Sequence, residues 1–300
     1  MKIGLKFFLA PAAALLFFRL ASFGAPVPIE LPGIENAFRV TDRIFSGSQP
    51  ESDAAFAELA RLGIKTVLSV DGSKPDVERA RRFGLRYVHL PFGYDGVPTG
   101  RAAQLAQAAA TLPAPLFVHC HHGKHRGPAA VAILCEAAGG WTPAQAEEWL
   151  KQAGTAPEYP GLYDAVRGFK PVSLEQIARL GALPELSQSA PLVDLMVEID
   201  LRFDLLKEAR KTGWIISPGG RLPEASTLLW EHFRELARNE ETAGRPEDYR
   251  NKVAQAERAS QALREALYST PPELSMVETA FNQMGQSCVS CHKTFRNKGK

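Results

Sequence analysis

The chain has 300 residues, with 35 lysines and arginines against 33 aspartates and glutamates for a net charge of +2. At about 100–200 residues per domain, that length points to two domains rather than one. A hydrophobic fraction of 45% and a charged fraction of 23% exclude whole-chain disorder and a polytopic membrane protein. The near-neutral balance argues against a general nucleic-acid binder, and four cysteines are too few for a disulfide scaffold.

The first segment reads as an address. Lys2 and Lys6 precede twelve uncharged residues, Phe7 to Phe18, and small residues follow at Ala21-Ser22-Phe23-Gly24-Ala25. This is the layout of a secretory signal peptide, 1–25, and the apolar run is well short of the roughly 20 residues that span a bilayer. A periplasmic or otherwise exported protein, not stably inserted in a membrane after cleavage, is expected. Pro26-Val27-Pro28 then reads as an extended arm.

Residues 38–170 alternate short β-rich runs with helical stretches. Strands are expected at Ile64–Val70, Tyr87–Phe92 and Leu116–His119, and helices at Asp53–Leu62, Asp76–Phe83, Arg101–Leu112, Ala129–Ala138 and Pro143–Ala153. Such alternation argues for an α/β domain, a mostly parallel sheet flanked by helices. Residues 171–187, with Pro171 and Pro184, read as a linker. From residue 188 onward no β-rich run recurs, and apolar residues repeat at helix spacing in four sets. These begin at Leu192, Leu228, Val253 and Leu274, the count of an all-α four-helix bundle. The linker does not imply direct contact between the halves, so any coupling is expected through oxidation of Cys120 and not through a shared site.

Between the expected strand at 116–119 and the next helix lies His119-Cys120-His121-His122-Gly123-Lys124-His125-Arg126. Backbone N–H groups at a strand-to-helix turn converge into an anion-binding nest, and the helix dipole adds positive charge there. A thiol so placed is favoured in its nucleophilic, charged form. Arg126 can offer its planar fork to two phosphate oxygens, Gly123 relieves the tight turn, and Pro128 suits the first helical position. The run resembles the signature loop of the cysteine-dependent protein tyrosine and dual-specificity phosphatases: His-Cys, five residues, Arg, with a Gly between.

The resemblance spans residues 35–170. It implies that Cys120 is the nucleophile, that Arg126 binds phosphate and its transition state, and that His119 shapes the loop. It also implies a general acid from an upstream loop. Asp95, 25 residues before Cys120, fits that role, with Asp71 as the second candidate. The family usually carries Ser or Thr after the arginine, where this chain has Gly127. His121, His122, Gly123, Lys124 and His125 are candidate substrate-binding residues. A lysine here resembles phosphatases acting on phosphoinositides or inositol phosphates, and a basic rim favours multiply charged substrates. The histidines read equally as solvated loop residues, and the domain as a degenerate oxyanion binder. The substrate expected is a phosphotyrosine protein or a multiply charged phosphoester.

Near the C-terminus, Cys288-Val289-Ser290-Cys291-His292 is the Cys-x-x-Cys-His pattern of covalent c-type haem attachment. On a helix Cys288 and Cys291 share a face, and the adjacent His292 can ligate iron. No βαβ unit or second Cys/His pair supports a redox dithiol or a zinc site. From Gly285 to Arg296 the chain resembles cytochrome c′ and related class II cytochromes c over residues 188–300. That resemblance places Arg296 beside the haem and leaves Met196, on the first helix, as an iron ligand, a non-ligating distal residue or core. Cys135 reads as a buried apolar residue or a partner for Cys120. Together these features describe an exported phosphatase fused to a c-type cytochrome. The alternative is an electron-transfer or gas-binding haem protein with a phosphate-binding N-terminal domain. A redox partner and a homodimer stay open.

Overall fold

In the computed structural model, residues 25–157, 159–187, 192–217 and 219–295 are described. The expected signal segment, up to residue 24, and Arg296 lie outside them. The first half contains β1 (Val27–Pro28), β2 (Phe38–Arg39), β3 (Ile44–Gly47), α1 (Asp53–Arg61), β4 (Thr66–Ser69), α2 (Val77–Arg82) and β5 (Arg86–His89). It continues with α3 (Thr99–Thr111), β6 (Leu116–His119), α4 (Arg126–Ala137), α5 (Pro143–Gln152), α6 (Pro160–Arg167) and α7 (Leu174–Ala178). The sheet has six strands in the order β1-β2-β3-β6-β4-β5. The β3-β6-β4-β5 block is parallel, and β1 and β2 add an antiparallel edge.

Both faces of the sheet are covered, which explains strands that are apolar throughout. Leu68, Val88, Leu116 and Val118 pack against α3, α4, α5 and α6. Val67, Tyr87 and Phe117 turn the other way, against α1 and α2. The expected strand 87–92 ends at His89, since Pro91 has no N–H to continue the ladder. Helix α4 starts at Arg126, two residues before the expected Pro128. A proline in the first turn removes only an N–H that has no intrahelical partner, so the turn accommodates both Gly127 and Pro128.

The second half is helical: α8 (Leu192–Lys211), α9 (Arg221–Arg238), the short α10 (Glu240–Ala243), α11 (Glu247–Tyr268) and α12 (Leu274–Phe295). The four long helices share a core that includes Leu206, Leu229, Leu236, Leu263, Val277 and Met284. Among the described residues no helix is long and apolar enough to cross a membrane.

The two halves are in contact. The expected linker carries α7 and then runs along the open edge of β5, where the Pro184 carbonyl accepts from the His89 N–H at 3.0 Å and Ser187 Oγ donates to the His89 carbonyl at 2.6 Å. Leu228 of α9 lies in the same core cluster as β5 and α4. The halves therefore touch, which the linker alone did not imply: the strap shortens the tether, and apolar surface on α9 is buried against the first half.

Candidate functional site

The carboxyl ends of the parallel strands converge at one edge, where α/β sheets bind ligands. After β6 comes the loop 120–125. Gly123 has φ +68°, and a Cβ there would lie 2.4 Å from the Gly47 carbonyl carbon and 2.6 Å from Ser48 N, so only glycine fits. Its carbonyl accepts from Asn36 Nδ2 at 2.9 Å, that of Lys124 from Thr155 Oγ1 at 2.7 Å, and that of His121 from Gln49 N at 3.0 Å. With these carbonyls bonded outward to three flanking segments, the peptide planes of the loop are fixed. Cys120 at its start is buried, and a Cβ on Gly127 would stand 3.5 Å from the Cys120 Sγ.

Arg126 has no exposed side-chain surface. Its Nη2 donates to Asp71 Oδ2 and to the Tyr94 hydroxyl, each at 2.8 Å. Its Nη1 donates to the Glu235 carboxylate of α9 and to the Phe92 carbonyl at 3.3 Å. Its Nε is buried with no hydrogen-bond partner among the described residues. The guanidinium also stacks 4.1 Å from the centre of the Tyr94 ring.

Asp71 lies just past β4 and is fully buried. It accepts from Arg238 Nη1 at 2.9 Å, Ser73 N at 2.8 Å and His121 N at 3.0 Å. Burial alone would raise its carboxyl, but Arg126 and Arg238 hold it well below the usual range. It is an acceptor-only carboxylate and has no proton to donate. Asp95 lies beyond β5, its side chain 55% exposed and 3.5 Å from Arg202 Nη2 of α8. Its backbone carbonyl lies so close to Gly161 of α6 that a Cβ there would sit 2.0 Å away.

The histidines are not a cationic rim. Burial pushes His119, whose Nε2 is 2.6 Å from the Tyr87 hydroxyl, down to about 4. Burial does the same to His121 and His125, each to about 4, and lowers His122. At neutral pH the positive charge of this loop rests on Arg126 and the exposed Lys124.

Sequence reasoning missed Tyr94, Tyr159 and one whole face of α9. Glu231, Arg234, Glu235 and Arg238 recur at i, i+3, i+4 and i+7, and that charged face meets the loop. Glu231 accepts from the Tyr159 hydroxyl at 2.9 Å, and Arg234 bonds to His122 Nε2. Their spacing is a legible signal, but a charged helix face normally reads as solvated.

In the second half a cavity of about 1740 Å³ opens between α8, α9, α11 and α12. Phe203, Phe233, Leu236 and Phe281 line it, Cys288, Cys291 and His292 stand on its α12 wall, and Met196 stands on α8. All four cysteines are free, which sets aside the pairing of Cys135 with Cys120. Burial raises the Cys288 thiol to about 11 and also raises Cys291. Protein interiors close-pack and leave few voids larger than a water molecule, so a space of this size bordered by two thiols and an imidazole fits a large, mostly apolar iron macrocycle.

No curated protein matches the chain. Among solved structures it is similar to TpbA of P. aeruginosa, at 24% identity and a TM-score of 0.42 over 48% of this chain and 89% of that one. A second TpbA structure, a cysteine-to-serine variant in complex with pTyr, is similar at 22% identity, 48% and 88% coverage and a TM-score of 0.42. The core catalytic domain of the PP-IP phosphatase SIW14 from S. cerevisiae is similar at 18% identity, 43% and 79% coverage and a TM-score of 0.36. The family model for cytochrome c′ matches residues 220–296, a stretch that holds α9, α11, α12 and the cysteine pair, and the match implies that the helical half binds haem.

Proposed function

We propose that the chain is an exported phosphatase that hydrolyses phosphate monoesters through a cysteinyl-phosphate, fused to a c-type cytochrome. Its parts are a signal peptide at 1–25, a phosphatase domain at 35–170, a connecting segment at 171–187 and a haem domain at 188–300. The observation that carries this reading is Cys120 at the end of β6 with Arg126 opening α4 and Gly123 folding the loop between them. The Cys120 sulfur attacks phosphorus, the S–P bond forms and the ester P–O bond breaks. Arg126 balances the charge on the phosphoryl oxygens, and Asp95 gives its proton to the leaving oxygen. The Asp95 carboxylate then takes a proton from water as water attacks phosphorus, which returns the thiolate and releases inorganic phosphate. Asp71, held ionised, positions Arg126. His119 shapes the loop, and Lys124 with the neighbouring histidines borders the entry for a phosphotyrosine protein or a multiply charged phosphoester.

Cys288 and Cys291 would hold the haem through thioethers, with His292 as iron ligand and Met196 on the facing helix. The haem supplies redox or gas-binding chemistry and an electron route to a redox partner. Hydrolysis of an aryl phosphate by the full chain, lost in Cys120→Ser, tests the phosphatase. Absence of turnover in the wild type favours the second reading, a haem protein with a phosphate-binding domain, to which Gly127 in place of a hydroxyl residue points. Retention of colour through acid–acetone extraction, lost in the Cys288→Ala, Cys291→Ala double variant, tests covalent attachment.

A further inference from the structure

Several groups of the proposed site are engaged by the helical half. Glu235 is on Arg126, Arg234 on His122, Arg202 on Asp95, and Arg238 on the Asp71 that positions Arg126. Tyr159 and Leu228 complete the seal with Glu231 and the first-half core. Arg126 has no exposed side-chain surface, and Cys120 is only 2% exposed, so no phosphoryl group reaches either while α9 lies where it does.

Charge decides what must leave. In this cluster two guanidiniums, the buried Arg126 and the partly exposed Arg238, face two carboxylates, Asp71 and Glu235. Adding a phosphoryl dianion to that balanced set would bury uncompensated negative charge, which is costly. Asp71 is bound into the first half by the N–H groups of Ser73 and His121. Among the described residues Glu235 takes its hydrogen bond from the first half through Arg126, and its carboxylate sits over Gly72, where a Cβ would come within 3.1 Å of it. Glu235 is therefore the anion that can be exchanged.

From this geometry we infer that α9 is an intramolecular plug of the phosphate cradle, with Glu235 competing against the phosphoryl oxyanion for Arg126. The inference rests on the proposed chemistry of Cys120 and Arg126. Substrate binding then requires α9 to swing out, carrying Glu231, Arg234 and Arg238 with it, and the resting chain is a closed form. Phe233 and Leu236, on another face of the same helix, line the large cavity, so that movement also displaces a wall of the haem site.

The test uses the full chain and tungstate, a phosphate-like dianion, followed by calorimetry. Glu235→Gln keeps the shape and removes the competing charge, and Glu235→Ala removes both. Each is expected to bind tungstate about tenfold more tightly than the wild type, the factor set by one charge-assisted hydrogen bond. Each is also expected to raise kcat/KM on para-nitrophenyl phosphate, chiefly through KM. In the unmutated chain, saturating tungstate is expected to speed hydrogen exchange at residues 228–238, a readout that needs no variant to fold. Unchanged affinity in both variants, or unchanged exchange in α9 with tungstate bound, overturns the plug. Tighter tungstate binding with no hydrolysis in any form retires the phosphatase reading and leaves the plug standing.

Discussion

Gly123→Ala puts the loop geometry to a quantitative test. The residue has φ +68°, and a left-handed conformation costs a non-glycine residue about 1–2 kcal/mol. Its new Cβ would meet the Gly47 carbonyl carbon at 2.4 Å and Ser48 N at 2.6 Å. Both are backbone atoms of the strand end and cannot rotate away, so reaching an ordinary contact near 3.5 Å takes a shift of about 1 Å. Overpacking of that kind adds about 1–3 kcal/mol, for a total of about 2–5 kcal/mol. Gly63→Ala is the matched control. It has φ +79° in the same half of the chain but nothing within 4 Å of the new Cβ, so it carries the conformational cost alone. By thermal unfolding, Gly123→Ala is expected to lower Tm by about 6–15 °C and Gly63→Ala by about 3–6 °C. Tungstate binding is expected to fall only in the first, since the shift moves the loop and not the core. Equal losses of Tm in the two variants would refute the close-approach argument.

Asp95→Asn is expected to slow a poor leaving group, such as phenyl phosphate, about 100-fold or more while sparing an activated aryl phosphate, because only the former needs a proton in the transition state. Equal losses on both would remove Asp95 from the acid role. Gly127→Ser places a hydroxyl beside the Cys120 Sγ, and in rapid-mixing assays it is expected to speed breakdown of the cysteinyl-phosphate more than its formation, whereas equal effects would tell against assistance to the leaving thiolate. Stability is expected to fall as pH drops from about 6.5 to about 4, because His119, His121, His125 and His232 are held down to about 4 when folded and the unfolded chain takes up their protons first. Each histidine contributes up to about 1.4 kcal/mol per pH unit in that window. Glu136, raised to about 7 by burial, opposes them with one proton, and a Tm that is flat between pH 7 and 5 would refute the sign.

What was legible in the sequence was local. The run from His119 to Arg126 declares a strand, a turn and a helix within a few residues, and Cys288 to His292 declares its chemistry in five. The edge strands β1 and β2 have two residues each, too few for a period of two to show. Strand β3 contains Ser46 and Gly47 and becomes a strand because β2 and β6 lie on either side of it. Asp71 directly follows the expected strand 64–70, a position that makes it a second candidate acid. What makes it a fixed carboxylate instead is Arg238, 167 residues away. A separation of 109 residues from Arg126 likewise hid Glu235, which on its own helix is one more charge on a face that ordinarily meets water.

Helix α9 belongs to two sites, and that changes how the halves relate. An oxidation route between haem and Cys120 needs no contact, whereas a shared helix couples the two sites through position. A group that fills the cavity more favourably with α9 in one place biases the cradle toward that place, and an anion in the cradle biases the cavity by the same free energy. On the plug reading the shielding of Cys120 has a steric origin, because the helix seated on Arg126 also closes the way to the thiol. Activity and sensitivity to oxidants rise and fall together, since the movement that admits a phosphoester also admits peroxide. In the proposed closed form Cys120 is covered and idle, and Glu235, the carboxylate set on Arg126, is carried by the helical half.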